Sequence, residues 1–99
     1  MLDPKAKGRR GEYAALKKLK ELGYDGYRVP LSGSHSALKG DIHLDNGLKV
    51  EVKVRREGFK QLYHWLTNVN FLMIRSTPGE WLAVIPFKLL KELLSGEKD

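Results

Sequence analysis

The sequence predicts a small α/β fold, a mixed central β-sheet flanked by helices in the order α-β-β-β-α-β-β-α. Three observations predict it. Apolar residues recur at helical spacing over 8–22, 59–69 and 86–94. Five short runs between them read as strands, bounded by Gly, Pro, Asn and Asp. With 99 residues, 41% hydrophobic and 30% charged, the chain has room for one modest core, so a single domain over 1–99 is expected. Residues 1–7 are expected to form a basic arm ahead of it.

The elements follow in order. Gly8 to Leu22 reads as an amphipathic helix with Ala15, Leu16, Leu19 and Leu22 on its apolar stripe, ended by Gly23. Tyr24 to Leu31 reads as a strand, and Pro30 places it at an edge or marks its end. Ser32-Gly33-Ser34-His35-Ser36 is a polar loop. Asp41–Leu44 and Leu48–Val54 are strands around the turn Asp45-Asn46-Gly47. Phe59 to Val69 is predicted helical, with Phe59, Leu62, Tyr63 and Leu66 on one stripe. Phe71–Ile74 and Trp81–Ile85 are strands around Thr77-Pro78-Gly79-Glu80. Pro86 suits the first position of a last helix running to Leu94, with Gly96 just beyond it.

The charge is uneven. The chain holds 18 Lys and Arg against 12 Asp and Glu, and residues 1–20 alone carry a net +5 of the total +6. Such a cluster is the footprint of a polyanion partner, with nucleic acid ahead of an anionic membrane; a solvated basic helix is the plainer alternative. The absence of cysteine excludes disulfides, thiolate zinc sites and cysteine nucleophiles. No apolar run approaches the ~20 residues of a membrane span, and no secretory h-region follows the basic N-terminus. No membrane association is expected, and a cytoplasmic location is.

The hairpin carries the candidate chemistry. Leu48, Val50, Val52 and Val54 alternate with Lys49, Glu51 and Lys53. Taken alone, this is also the ordinary pattern of a half-buried strand. Register narrows the reading, because Ile42 and Leu44 must share a face with Leu48, Val50 and Val52. A three-residue turn at 45–47 achieves that by pairing 44 with 48 and 42 with 50. It also sets Asp41 across from Glu51, about 5 Å apart, where like charges repel. Lys53 offsets one carboxylate; a divalent cation offsets both, and all-oxygen ligands suit Mg²⁺ or Mn²⁺. Glu12 falls on the apolar stripe of the first helix, where it either joins these acids or simply favours the helix dipole.

Gly40-Asp41-Ile42 followed by Val50-Glu51-Val52-Lys53 matches the D…ExK signature of the restriction-endonuclease-like nuclease superfamily. Three further stretches extend the likeness: Lys7-Gly8-Arg9-Arg10-Gly11-Glu12; Arg28-Val29-Pro30-Leu31-Ser32-Gly33-Ser34; and Pro78-Gly79 followed by Val84-Ile85-Pro86-Phe87. Over residues 5–94 the chain resembles the archaeal-type Holliday junction resolvases. It is shorter than typical members, and Gly-Asp stands where many of them have Pro-Asp.

That resemblance implies a restriction-endonuclease-like fold and a Mg²⁺-dependent endonuclease, with Mn²⁺ as a substitute. It implies paired symmetric nicks in four-way DNA junctions, 5′-phosphate products and a homodimer. By the same resemblance, Glu12, Asp41, Glu51 and the Val52 carbonyl would hold the metal. Lys53 would orient the attacking water, and Ser32 would contact the scissile phosphate. Lys5, Lys7, Arg9, Arg10, Ser34, Arg55 and Arg56 would grip DNA; for Arg55 and Arg56 a basic turn after a strand is the alternative. His43, His64, His35 and Gln61 read as surface residues, and Trp65, Phe71, Met73 and Trp81 as core or subunit interface. Two other functions stay open: a less selective nickase or flap endonuclease of the same superfamily, and a basic nucleic-acid-binding module without catalysis.

Overall fold

The computed structural model describes residues 4–30 and 40–96, with the backbone alone at residues 4–7. The fold is mixed α/β. Three helices and five strands follow one another as α1 (Pro4–Glu21), β1 (Gly26–Arg28), β2 (Ile42–Leu44), β3 (Lys49–Val50), α2 (Lys60–Trp65), β4 (Leu72–Ile74), β5 (Leu82–Val84) and α3 (Phe87–Ser95). The chain divides into two compact units, residues 1–54 and 55–99, where one domain is predicted from length.

In the first unit α1 starts at Pro4, ahead of the predicted Gly8, so Lys5 and Lys7 belong to the helix rather than to an arm. Proline suits a helix start, where its missing N–H leaves no hydrogen bond unmade. The helix closes with two bonds of the Schellman type, from Gly23 N–H to the Lys20 carbonyl and from Tyr24 N–H to the Leu19 carbonyl. Strands β1, β2 and β3 form an antiparallel sheet in that order.

The β2–β3 register is Ile42 opposite Val50 and His43 opposite Lys49, as the alternation predicts. The turn enforces it. Gly47 has φ +94°, its N–H bonds the Leu44 carbonyl, and Leu44 N–H bonds the Leu48 carbonyl. That is a three-residue hairpin loop whose last position needs a left-handed conformation. Leu16, Ile42 and Leu44 make the buried cluster, with Ala15, Leu19, Tyr24, Val50 and Val52 packed on it. Ile42 is fully buried, so Ile42→Ala should cost about 3 kcal/mol, read as a lower urea midpoint.

Two expectations are corrected here. β3 ends at Val50 instead of reaching Val54, and both Leu48 and Val54 are more than half exposed. The cause is the partner strand: β2 starts at Ile42, and Asp41 N–H already bonds the Val50 carbonyl, which leaves residues 51–54 no further β2 ladder to join. Moreover, every described strand pair is antiparallel, and the strands form two sheets rather than one mixed sheet. The short β2–β3 connection favours antiparallel neighbours, whereas a parallel pair needs a longer crossover.

In the second unit β4 and β5 form a two-stranded antiparallel ribbon, with Leu72 opposite Val84, Met73 opposite Ala83 and Ile74 opposite Leu82. A cleft of about 540 Å³ is lined by Phe59, Leu62, Tyr63 and Leu66 from the α2 segment and by Val84 to Phe87. α3 ends at Gly96 in a left-handed conformation. No described helix is long and apolar enough to cross a membrane.

Candidate functional site

The first unit brings the predicted acids into three separate arrangements. Glu12 sits on α1 and Arg28 on β1, and the Arg28 Nη1 to Glu12 Oε1 distance is 3.0 Å. Their side chains are only 14% and 18% exposed, so each charge depends on the other for compensation. The Arg28 guanidinium also lies 5.1 Å from the centre of the Tyr13 ring. Contact with Tyr13, then with Glu12, raises its proton affinity above the ordinary guanidinium value, so it stays charged throughout the pH range of the fold.

Among the described residues of this unit, Asp41 is the polar residue that is buried, at 8% exposure. Its Oδ2 accepts a hydrogen bond of 2.8 Å from Val52 N–H. Amide donation to a carboxylate is among the stronger hydrogen bonds of a protein and here sets the Asp41 side chain against the segment 51–53. Glu51 is exposed, and its Oε2 lies 3.0 Å from Lys53 Nζ. Such an exposed pair contributes little to stability, which leaves both side chains available for other partners.

Arg28 stands opposite Ile42, and Ile42 packs with Leu16 of α1, so Arg28 lies on the helix-covered face with Glu12 as its partner. Beside it, Val29 is buried and its N–H bonds the Asp41 carbonyl. Among the described residues no three His, Asp or Glu side chains converge to hold a metal ion. Glu12 is engaged by Arg28, and the Asp41 carboxylate accepts the Val52 amide.

Helix α1 reaches Val54, in the segment that follows β3 and carries Glu51 and Lys53. A Cβ added at Gly11 would lie 3.0 Å from Val54 Cγ2, so glycine permits this approach one residue before Glu12. Arg9 and Arg10 are exposed on the same helix. Arg55 and Arg56 open the second unit and are exposed. Ser32 and Ser34 lie outside the described residues, as do the side chains of Lys5 and Lys7. His43 packs edge-on against Tyr27, with ring centres 5.8 Å apart.

Arg28 is the residue that reading the sequence missed. Its signal was present: an arginine followed directly by the apolar Val29 in a strand needs an acid partner, and Glu12 was the acid in need of one. Compared with family models, curated proteins and solved structures, the chain matches none.

Proposed function

We propose that this protein is a metal-dependent, structure-selective DNA endonuclease of restriction-endonuclease-like fold, acting as a homodimer on four-way junctions and leaving 5′-phosphates. The observation that carries the reading is the bond from Val52 N–H to the Asp41 carboxylate, which joins the acid just ahead of β2 to the Glu51-Val52-Lys53 segment just after β3. The donor chemistry fits Mg²⁺, or Mn²⁺ in its place: two carboxylates and a main-chain carbonyl, all hard oxygens. Asp41, Glu51 and the Val52 carbonyl would hold the ion. It would neutralise charge on the phosphate and make bound water more acidic.

The chain's own groups do the rest. The Val52 amide holds Asp41 in place without taking its charge. Lys53 rests against Glu51, and in this reading its ammonium group donates to a phosphate oxygen or orients the water. Glu12 acts as a positioning residue through Arg28, tying α1 to β1 beneath the site. Paired nicks in opposed strands need two such sites related by a two-fold axis, which a homodimer supplies.

Arg9 and Arg10 on α1 supply non-specific phosphate contacts. Replacing both with Ala should weaken junction binding and lower the slope of log affinity against log salt by about 2, measured by fluorescence anisotropy from low to moderate salt. An unchanged slope would remove both residues from the DNA face.

The test of function is cleavage of a synthetic four-way junction beside a flap and a plain duplex, with Mg²⁺ and with chelator. Symmetric paired nicks in the junction alone support the proposal. Equal cutting of all three substrates supports a less selective nickase. Binding with no nicking in Mg²⁺ or Mn²⁺ supports a non-catalytic binding module, the reading favoured by the commitment of Glu12 to Arg28.

A further inference from the structure

Asp41 is held by three hydrogen bonds. Its N–H donates to the Val50 carbonyl at 2.8 Å, and its carbonyl accepts from Val29 N–H at 2.8 Å. Its Oδ2 accepts from Val52 N–H, also at 2.8 Å. The first two tie its main chain to the segments on either side, and the third sets the direction of its carboxylate.

The residue just ahead of it, Gly40, has φ +88°. An L side chain in that region crowds the following carbonyl oxygen, and glycine enters it without that cost. Space is closed there as well. A Cβ on Gly40 would lie 3.3 Å from Lys49 Cβ, 3.3 Å from the Val50 carbonyl oxygen and 3.4 Å from the Val50 nitrogen. Two of these three atoms are main chain, and they are committed: Val50 stands opposite Ile42, and its carbonyl accepts the Asp41 N–H. They cannot give way without disturbing the bonds that hold Asp41. Gly47 offers the contrast within the same hairpin. Its φ is +94°, yet no atom beyond its chain neighbours lies within 4 Å of a Cβ built there.

We infer that Gly40 is a positioning residue: its left-handed backbone, closed to L side chains, aims the Asp41 carboxylate at the Val52 amide and so holds the acid beside the Glu51-Val52-Lys53 segment. A side chain at position 40 relieves its strain by turning φ back to negative values. That turn rotates the peptide between residues 40 and 41 and draws the carboxylate away from Val52. The same backbone accounts for the Gly-Asp pair. Proline, which many of the resolvases that the chain resembles carry here, fixes φ at about −65° and cannot follow this path. The inference rests on the nuclease reading for the purpose of the placement, not for the placement itself.

The experiment compares Gly40→Ala, Gly40→Asn and Gly47→Ala in the full chain, beside a chemically synthesised chain with D-alanine in place of Gly40. The first readout is amide exchange at Val52, which reports the bond to the carboxylate and needs neither metal nor DNA. The second is single-turnover cleavage of a four-way junction in Mg²⁺, with junction binding measured in chelator. Gly40→Ala should accelerate Val52 exchange about tenfold or more beyond Gly47→Ala, which carries the backbone strain without the crowding. It should slow cleavage about a hundredfold with binding unchanged, as a misplaced reacting group does. D-alanine enters positive φ as readily as L-alanine enters negative φ, and its methyl replaces the other α-hydrogen, so it should return both readouts to near the wild type. Asn tolerates the left-handed region but still brings a Cβ against Val50, so it should fall between, and it stands in for Gly40→Ala if circular dichroism shows that variant unfolded. Val52 exchange no faster in the folded Gly40 variant than in Gly47→Ala overturns the inference. So does a D-alanine chain as impaired as Gly40→Ala, or cleavage by Gly40→Ala at the wild-type rate. A wild type that nicks no junction removes the nuclease reading instead, and the Val52 measurement then decides the role of Gly40 alone.

Discussion

Asp41→Asn abolishes Mg²⁺-dependent nicking of a four-way junction, a loss of about a thousandfold or more, while junction binding is kept or tightened. The substitution is chosen for what it preserves. An amide oxygen can still accept the Val52 N–H bond that Oδ2 now accepts at 2.8 Å, so the hairpin keeps its link. Only the charge is lost. A neutral ligand holds a divalent cation poorly, and its removal also lifts a repulsion between protein and phosphate. The measurement is single-turnover cleavage beside an anisotropy titration in chelator. Cleavage at the wild-type rate would exclude Asp41 from any metal site. A parallel loss of binding would assign it to the fold instead. Asp41→Ala, which also deletes the acceptor, should in addition destabilise the first unit by about 2 kcal/mol.

The second large effect is on stability. Glu12→Ala leaves Arg28 charged, mostly buried and without its acid. Breaking a buried pair from one side costs about 3 kcal/mol, the upper part of that range being reserved for full burial. The effect should be local. Amide exchange at Val29, whose N–H bonds the Asp41 carbonyl beside Arg28, should accelerate about a hundredfold, the same energy expressed as an opening equilibrium. Replacing both partners, Glu12→Leu with Arg28→Met, should restore most of the loss, since it removes two charges from a poorly solvated place. If the single variant is as stable as the wild type, the Glu12–Arg28 pair is not what joins α1 to β1. If the double variant is stable but cleaves no junction, Glu12 serves the reaction as well as the fold.

How much of this was legible in the chain can be followed residue by residue. The β2–β3 hairpin was readable because its causes are local. A two-residue side-chain period and a glycine at position 47 leave one register that keeps Ile42 and Val50 on the same face. Helix α1 was readable from its apolar spacing, and only its start moved, because proline at position 4 can open a helix as well as precede one.

The site was legible in its parts but not in its assembly. Asp41, Glu51 and Lys53 could be placed on neighbouring strands, yet the partner of Asp41 is the Val52 amide, eleven residues away. Glu12 was recognised as an acid in an apolar setting, yet its partner is Arg28, sixteen residues away on the strand that pairs with Ile42.

The sequence by itself therefore determined the elements, the turn and the register, since each follows from backbone sterics and side-chain alternation over a few neighbouring residues. The tertiary structure alone decided which charge answers which, where β3 stops, and that Leu48, Val54, Met73 and Trp81 stay exposed. Those outcomes depend on which surfaces meet across the fold. Many pairings satisfy the same local pattern, and packing selects one of them.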